Sequence, residues 1–146
     1  MRILILIHFL GLGSILLNAQ NTNPSKHYNL ENGVAILGYD PVAYFVSGKA
    51  IEGSKSFSSW VNGATYYFSS QANKKSFDVN PSQYEPKYGG WCAYAMGNSG
   101  EKVEVDPETF KIIDGKLYLF YNAYFNNTLT SWNKNEYNLK LKAESN

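Results

Sequence analysis

The stretch that decides the fold is Phe57-Ser58-Ser59-Trp60-Val61-Asn62-Gly63-Ala64-Thr65-Tyr66-Tyr67-Phe68. Two runs carrying aromatic and β-branched residues flank Asn62-Gly63, the pair that tolerates the positive φ angles of a type I′ turn. The segment therefore predicts a hairpin with arms Phe57–Val61 and Ala64–Phe68. A second hairpin is expected from Phe110–Ile113 and Lys116–Tyr121 across Asp114-Gly115.

Helical signals surround these arms. Asp40-Pro41-Val42-Ala43-Tyr44-Phe45 predicts a short helix with Asp40 as N-cap and Pro41 at its first position, ended by Ser47-Gly48. Ser69 or Ser70 is expected to cap a helix that carries Phe77 and stops before Pro81. Tyr84–Tyr88 reads as a connection, Gly89-Gly90 as the opening of the next element, and Trp91–Met96 as a short helix closed by Gly97-Asn98-Ser99-Gly100. Asp106-Pro107 repeats the cap-then-proline signal, and Phe125, Leu129 and Trp132 recur at the spacing of a C-terminal helix. Two hairpins packed against several short helices make a small α+β domain.

The chain of 146 residues suits one such domain. Twelve Tyr, eight Phe and three Trp supply enough buried area for a core without disulfides. At the N-terminus, Arg2 precedes an apolar run from Ile3 to Leu17 and then the polar Asn18-Ala19-Gln20, the pattern of a secretory signal peptide cleaved after Ala19. That run is short for a membrane span, which needs about 20 apolar residues. The expected organisation is a signal peptide at 1–19, a flexible leader at 20–32 and the domain with its C-terminal extension at 33–146. The location follows as periplasmic or secreted, with no stable membrane span after cleavage.

Loss of Arg2 leaves 12 Lys and Arg against 12 Asp and Glu, a net charge of zero, with no basic stripe to hold a nucleic acid backbone. His8 is lost too, so His27 is the one histidine of the mature chain, and the lone Cys92 has no internal disulfide partner.

Three spaced motifs carry a family resemblance. They are Gly38-Tyr39-Asp40-Pro41-Val42-Ala43-Tyr44-Phe45, then Tyr66-Tyr67-Phe68-Ser69-Ser70 with Phe77, Pro81 and Tyr84, then Tyr88-Gly89-Gly90-Trp91-Cys92-Ala93-Tyr94. In this order they resemble a YHS domain. The resemblance implies a small α+β module related to cysteine-based metal-binding domains, with relatives attached to copper-transporting ATPases and to some hydroxylases. Metal-type relatives carry cysteines where this chain has Ala43, Ser69 and Asn73. The resemblance thus implies the fold without the cysteine cage. The Tyr-His-Ser triplet behind the family name is absent as such.

Among residues able to carry chemistry, Cys92 stands at the expected first turn of a helix, where a thiolate is favoured, and Met96 lies four residues on. A thiolate with a thioether suits Cu(I), and His27 is a candidate third ligand if the leader folds back. Equally, Cys92 and Met96 read as ordinary core residues, or Cys92 as a redox thiol. One Cys and one His cannot assemble a zinc site of the usual kind.

Gly89-Gly90 reads either as an anion-binding nest or, more simply, as a tight turn. Asp40 and Asp106 read as helix caps rather than an acid–base pair, since no nucleophile motif or His base stands beside them. The candidate pocket residues are Asp40, Tyr44, Tyr67, Tyr88, Gly89, Gly90, Trp91 and Tyr94, with the tyrosines equally readable as core. Three functions follow in order of preference. The first is a non-catalytic binding module for a small ligand or protein partner. The second is a copper-handling protein using Cys92 and Met96. The third is a thiol redox protein centred on Cys92, disfavoured by the lack of a resolving Cys.

Overall fold

The computed structural model describes residues 24–146. The expected signal peptide at 1–19 lies outside the described residues. After a 3₁₀ turn at Pro24–His27, the chain forms strands β1 (Leu30–Glu31) and β2 (Val34–Ala35), then helix α1 (Ala43–Val46). The first long hairpin is β3 (Ser54–Val61) and β4 (Ala64–Phe68), followed by helices α2 (Gln71–Val79), α3 (Pro81–Tyr84) and α4 (Ala93–Asn98). The second long hairpin is β5 (Asp106–Ile113) and β6 (Lys116–Phe120). A small hairpin, β7 (Asn122–Ala123) and β8 (Asn126–Asn127), precedes helices α5 (Thr128–Lys134) and α6 (Glu136–Ser145). The architecture is a small α+β domain.

Both predicted hairpins form, with the turn chemistry that their sequences require. Asn62 and Gly63 sit at φ 52° and 86°, and Asp114 and Gly115 at 50° and 70°. The strands β1-β2-β4-β3 make one sheet, in which β2 and β4 are parallel and the other pairs antiparallel. Segment 20–32, expected as a loose leader, contributes β1 and the preceding 3₁₀ turn at its described end.

Strand β6 organises the interior. Leu117, Tyr118, Leu119 and Phe120 are all buried, so both faces of this strand are covered. Because side chains alternate across a strand, Leu117 and Leu119 join one core and Tyr118 and Phe120 another. The first core holds Val42, Tyr44, Tyr66, Phe68 and Phe77. The second holds Ala93, Trp132 and Leu139. In the second core α4 lies directly against α6: a Cβ at Gly97 would collide with the carbonyl oxygen of Leu139.

Three local expectations are corrected. Asp106-Pro107 starts a strand, not a helix: the Asp106 carboxylate accepts from Glu108 N (3.0 Å) and Thr109 Oγ1 (2.8 Å) where the pairing with β6 is irregular. Pairing with a strand that is itself core outweighs the local cap signal. Phe125 is not part of a C-terminal helix. It shares the β7–β8 turn with Tyr124, both at positive φ (62° and 50°) and both exposed, and two helices rather than one follow. The helix expected from Pro41 begins at Ala43, with Pro41 and Val42 in the turn that leads into it.

Candidate functional site

Three places concentrate the residues singled out by the sequence. The first is an open, mostly apolar cleft of about 420 Å³ between the entry segment, the diglycine turn and the end of α6. Its walls carry the rings of Tyr28, Tyr88 and Trp91 together with Met96, and Lys102 stands at the edge. The volume falls within the roughly 300–1,000 Å³ of small-ligand pockets.

The diglycine turn shapes this cleft. Tyr88, Gly89 and Gly90 all hold positive φ (55°, 65° and 86°), a left-handed turn that swings Trp91 outward. A Cβ at Gly89 would strike the His27 carbonyl oxygen, so only glycine lets the entry segment lie this close. Asn29 N donates to Gly89 O at 2.8 Å, and Trp91 Nε1 donates to His27 O at 3.0 Å. These bonds dock residues 27–29 onto the turn and complete the cleft wall. The buried Tyr88 hydroxyl has no hydrogen-bond partner among the described residues, and burial, followed by the neighbouring Tyr118 phenol, pushes its pKa upward.

The second place is Asp40, which is fully buried. One carboxylate oxygen accepts from Val42 N (2.8 Å) and Ala43 N (3.2 Å), capping the turn into α1. The other accepts from Ser69 N (2.8 Å), Ser69 Oγ (2.6 Å) and Asn73 Nδ2 (2.7 Å). A single side chain thus ties α1 to the end of β4 and to α2. Asp40 caps the turn that leads into α1, whose own N-cap is Val42, and it is also a junction, which the sequence does not reveal. Ala43, Ser69 and Asn73, where the family resemblance places metal-type cysteines, all face this carboxylate through hydrogen-bond donors. Ala43 offers no ligating side chain, and the Ser69 hydroxyl and Asn73 amide are engaged with the Asp40 carboxylate, so the thiolate cage of metal-type relatives is not reproduced here.

The third place is Cys92, also fully buried. It is the N-cap residue of α4 rather than a member of its first turn. Tyr121 N donates to its sulfur (3.3 Å), and Thr128 Oγ1 lies 3.4 Å away. The Thr128 hydroxyl hydrogen goes to Tyr121 O at 2.8 Å, which leaves the cysteine S–H to donate to Thr128. Cys92 is therefore satisfied as a thiol inside the fold. Met96 lines the aromatic cleft with His27, whereas Cys92 underlies a different hollow with Tyr94 and Tyr121. The accessible Cys92 expected for copper is not found, since its side chain is buried. Among the described residues no group of three or more His, Cys, Asp or Glu is arranged to hold a metal ion.

Of the other pocket candidates, Tyr44 is core, its hydroxyl donating to Pro107 O at 2.8 Å. Tyr67 lines a separate hollow with Gly38 and Lys55. Gly90 shapes the turn without lining the cleft. Tyr28 and Lys102 were missed by sequence reasoning, since they come from segments without periodicity or motif and meet Trp91 only through the fold.

These features define a small α+β module with an aromatic cleft beside a glycine turn. Comparison with protein families matches residues 42–88 to the YHS domain. That family is generally associated with metal handling, copper in particular. No curated protein and no solved structure matches the chain. No helix among the described residues is long and apolar enough to cross a membrane.

Proposed function

We propose that this chain is an exported, non-catalytic binding module that holds a small ligand in the cleft of Tyr28, Tyr88 and Trp91. The observation that carries the reading is the cleft itself: a concave aromatic surface, built by a left-handed turn that only glycine at position 89 permits. The chemically capable side chains elsewhere are already engaged. Asp40 has its oxygens filled by five donors, and Cys92 is buried and bonded as a thiol. Both facts favour binding over turnover. Export, to the periplasm or the medium, rests on the N-terminal pattern and is tested by N-terminal sequencing of the product, expected to begin at Gln20.

The binding test is a titration of residues 20–146 with N-phenyl-1-naphthylamine, a neutral aromatic probe whose emission rises in apolar sites. Saturable one-to-one binding, weakened about tenfold or more by Trp91→Ala in a folded variant, supports the reading. A folded protein that shows no saturable binding overturns it.

A further inference from the structure

Resting on that cleft as the binding site, the charges around it assign a class of ligand. The cleft is lined by no Asp or Glu side chain, Asn146 at the end of the chain brings a terminal carboxylate to its lining, and Lys102 is the exposed cation on its edge. The ammonium of Lys102 stands 5.9 Å from the centre of the Trp91 ring and donates to Lys26 O at 3.3 Å. It thus stands over the aromatic wall while remaining open to solvent. Among the described residues its ammonium has no carboxylate within 4.0 Å, the chain end included. The neighbouring Glu101 is turned to Ser99 Oγ at 3.2 Å.

Lys87 provides the contrast. It also stands over a cleft tyrosine, 5.4 Å from the centre of the Tyr88 ring, but Glu144 lies 3.6 Å from its ammonium. Lys87 is thus matched internally, and Lys102 is not. An ammonium held beside apolar rings attracts an anion more strongly than one in open water, because the rings exclude competing solvent.

We infer that the cleft takes a small amphipathic anion, with a flat or apolar body against Trp91, Tyr28 and Met96 and a carboxylate, sulfonate or phosphate head against Lys102. The body is held by apolar contact and the head by one charge-assisted hydrogen bond.

The test compares two probes of similar aromatic size, 1-anilinonaphthalene-8-sulfonate and the neutral N-phenyl-1-naphthylamine, on the same folded protein. The expected result is tighter binding of the sulfonate. Lys102→Gln should weaken the sulfonate about fivefold and leave the neutral probe within about twofold. Lys102→Arg should retain the preference, and Lys87→Gln should not remove it. Added salt should weaken only the sulfonate. Equal affinity for both probes, or a sulfonate affinity indifferent to Lys102→Gln, overturns the anion inference while the cleft remains a binding site. Failure of both probes removes the binding site along with the inference.

Discussion

The surroundings of Asp40 and Cys92 are two versions of one local design. Each begins with three consecutive positive φ values: Ile36-Leu37-Gly38 at 53°, 50° and 85°, and Tyr88-Gly89-Gly90 at 55°, 65° and 86°. Each continues through an extended aromatic residue, Tyr39 (φ −73°, ψ 146°) or Trp91 (φ −75°, ψ 159°). In both, the next backbone N–H reaches a carbonyl eleven positions on: Asp40 N to Ile51 O at 2.8 Å, and Cys92 N to Val103 O at 2.9 Å. A short helix then follows. What differs is the buried side chain at the junction. The carboxylate gathers five donors, whereas the thiol receives one backbone N–H and gives one weak bond. The backbone can therefore be repeated while the polarity of the junction is exchanged, provided that every buried donor finds an acceptor.

The largest expected effect lies on the carboxylate side. Asp40→Ala strands two backbone N–H groups of the α1 turn, the Ser69 N–H and hydroxyl, and the Asn73 amide. Each unsatisfied buried group costs about 1–3 kcal/mol, some of it recovered by water near the exposed Ser69, so a loss of about 4 kcal/mol or more is expected. Asp40→Asn should recover part of this, since one amide oxygen still accepts while the NH₂ group faces other donors. Urea unfolding of the two variants measures both. A loss below about 1 kcal/mol for Asp40→Ala would break the comparison, because the carboxylate would then be no more of a junction than the thiol.

On the thiol side the effect should be smaller. Cys92→Ala removes one sulfur and leaves the Tyr121 N–H without its acceptor, for about 1–2 kcal/mol. In the native protein Cys92 should react with a thiol reagent at least about a hundredfold more slowly than in denaturant, because labelling must wait for opening of the fold. Rapid native labelling would return Cys92 to the list of accessible sites and revive the redox reading.

The same two regions mark what could be read from the sequence. Both Asn62-Gly63 and Asp114-Gly115 announced their hairpins, because turn chemistry is local. Asp-Pro announced a cap at position 40 and misled at position 106, where pairing with the doubly buried strand β6 overrode it. The cap role of Asp40 was visible two and three residues away. Its junction role was not, since Ser69 and Asn73 lie 29 and 33 positions on. Likewise Tyr88, Gly89 and Trp91 stood out as a motif, but Lys102 and Tyr28 join the cleft only through long-range docking of residues 27–29 against the diglycine turn.

A second carboxylate in the Asp40 half sharpens the contrast at the smallest scale. Glu85 is half-buried and has only a long bond, 3.4 Å, from the Tyr66 hydroxyl. Burial pushes its pKa up, against weaker opposing effects of that hydroxyl and of Lys116. A carboxyl with a raised folded-state pKa contributes stability that is fully present below the ordinary Glu range, about 4.3, and lost as pH rises through the raised value. Removing the ionisation should remove that loss. Glu85→Gln is thus expected to be about as stable as the parent near pH 4 and more stable at pH 7, by about 1–2 °C in melting temperature. Thermal unfolding across this range distinguishes the cases. A difference that stays constant with pH would mean that Glu85 titrates no differently in the folded and unfolded chains. The two carboxylates would then differ in the number of donors they gather but not in the cost of their burial.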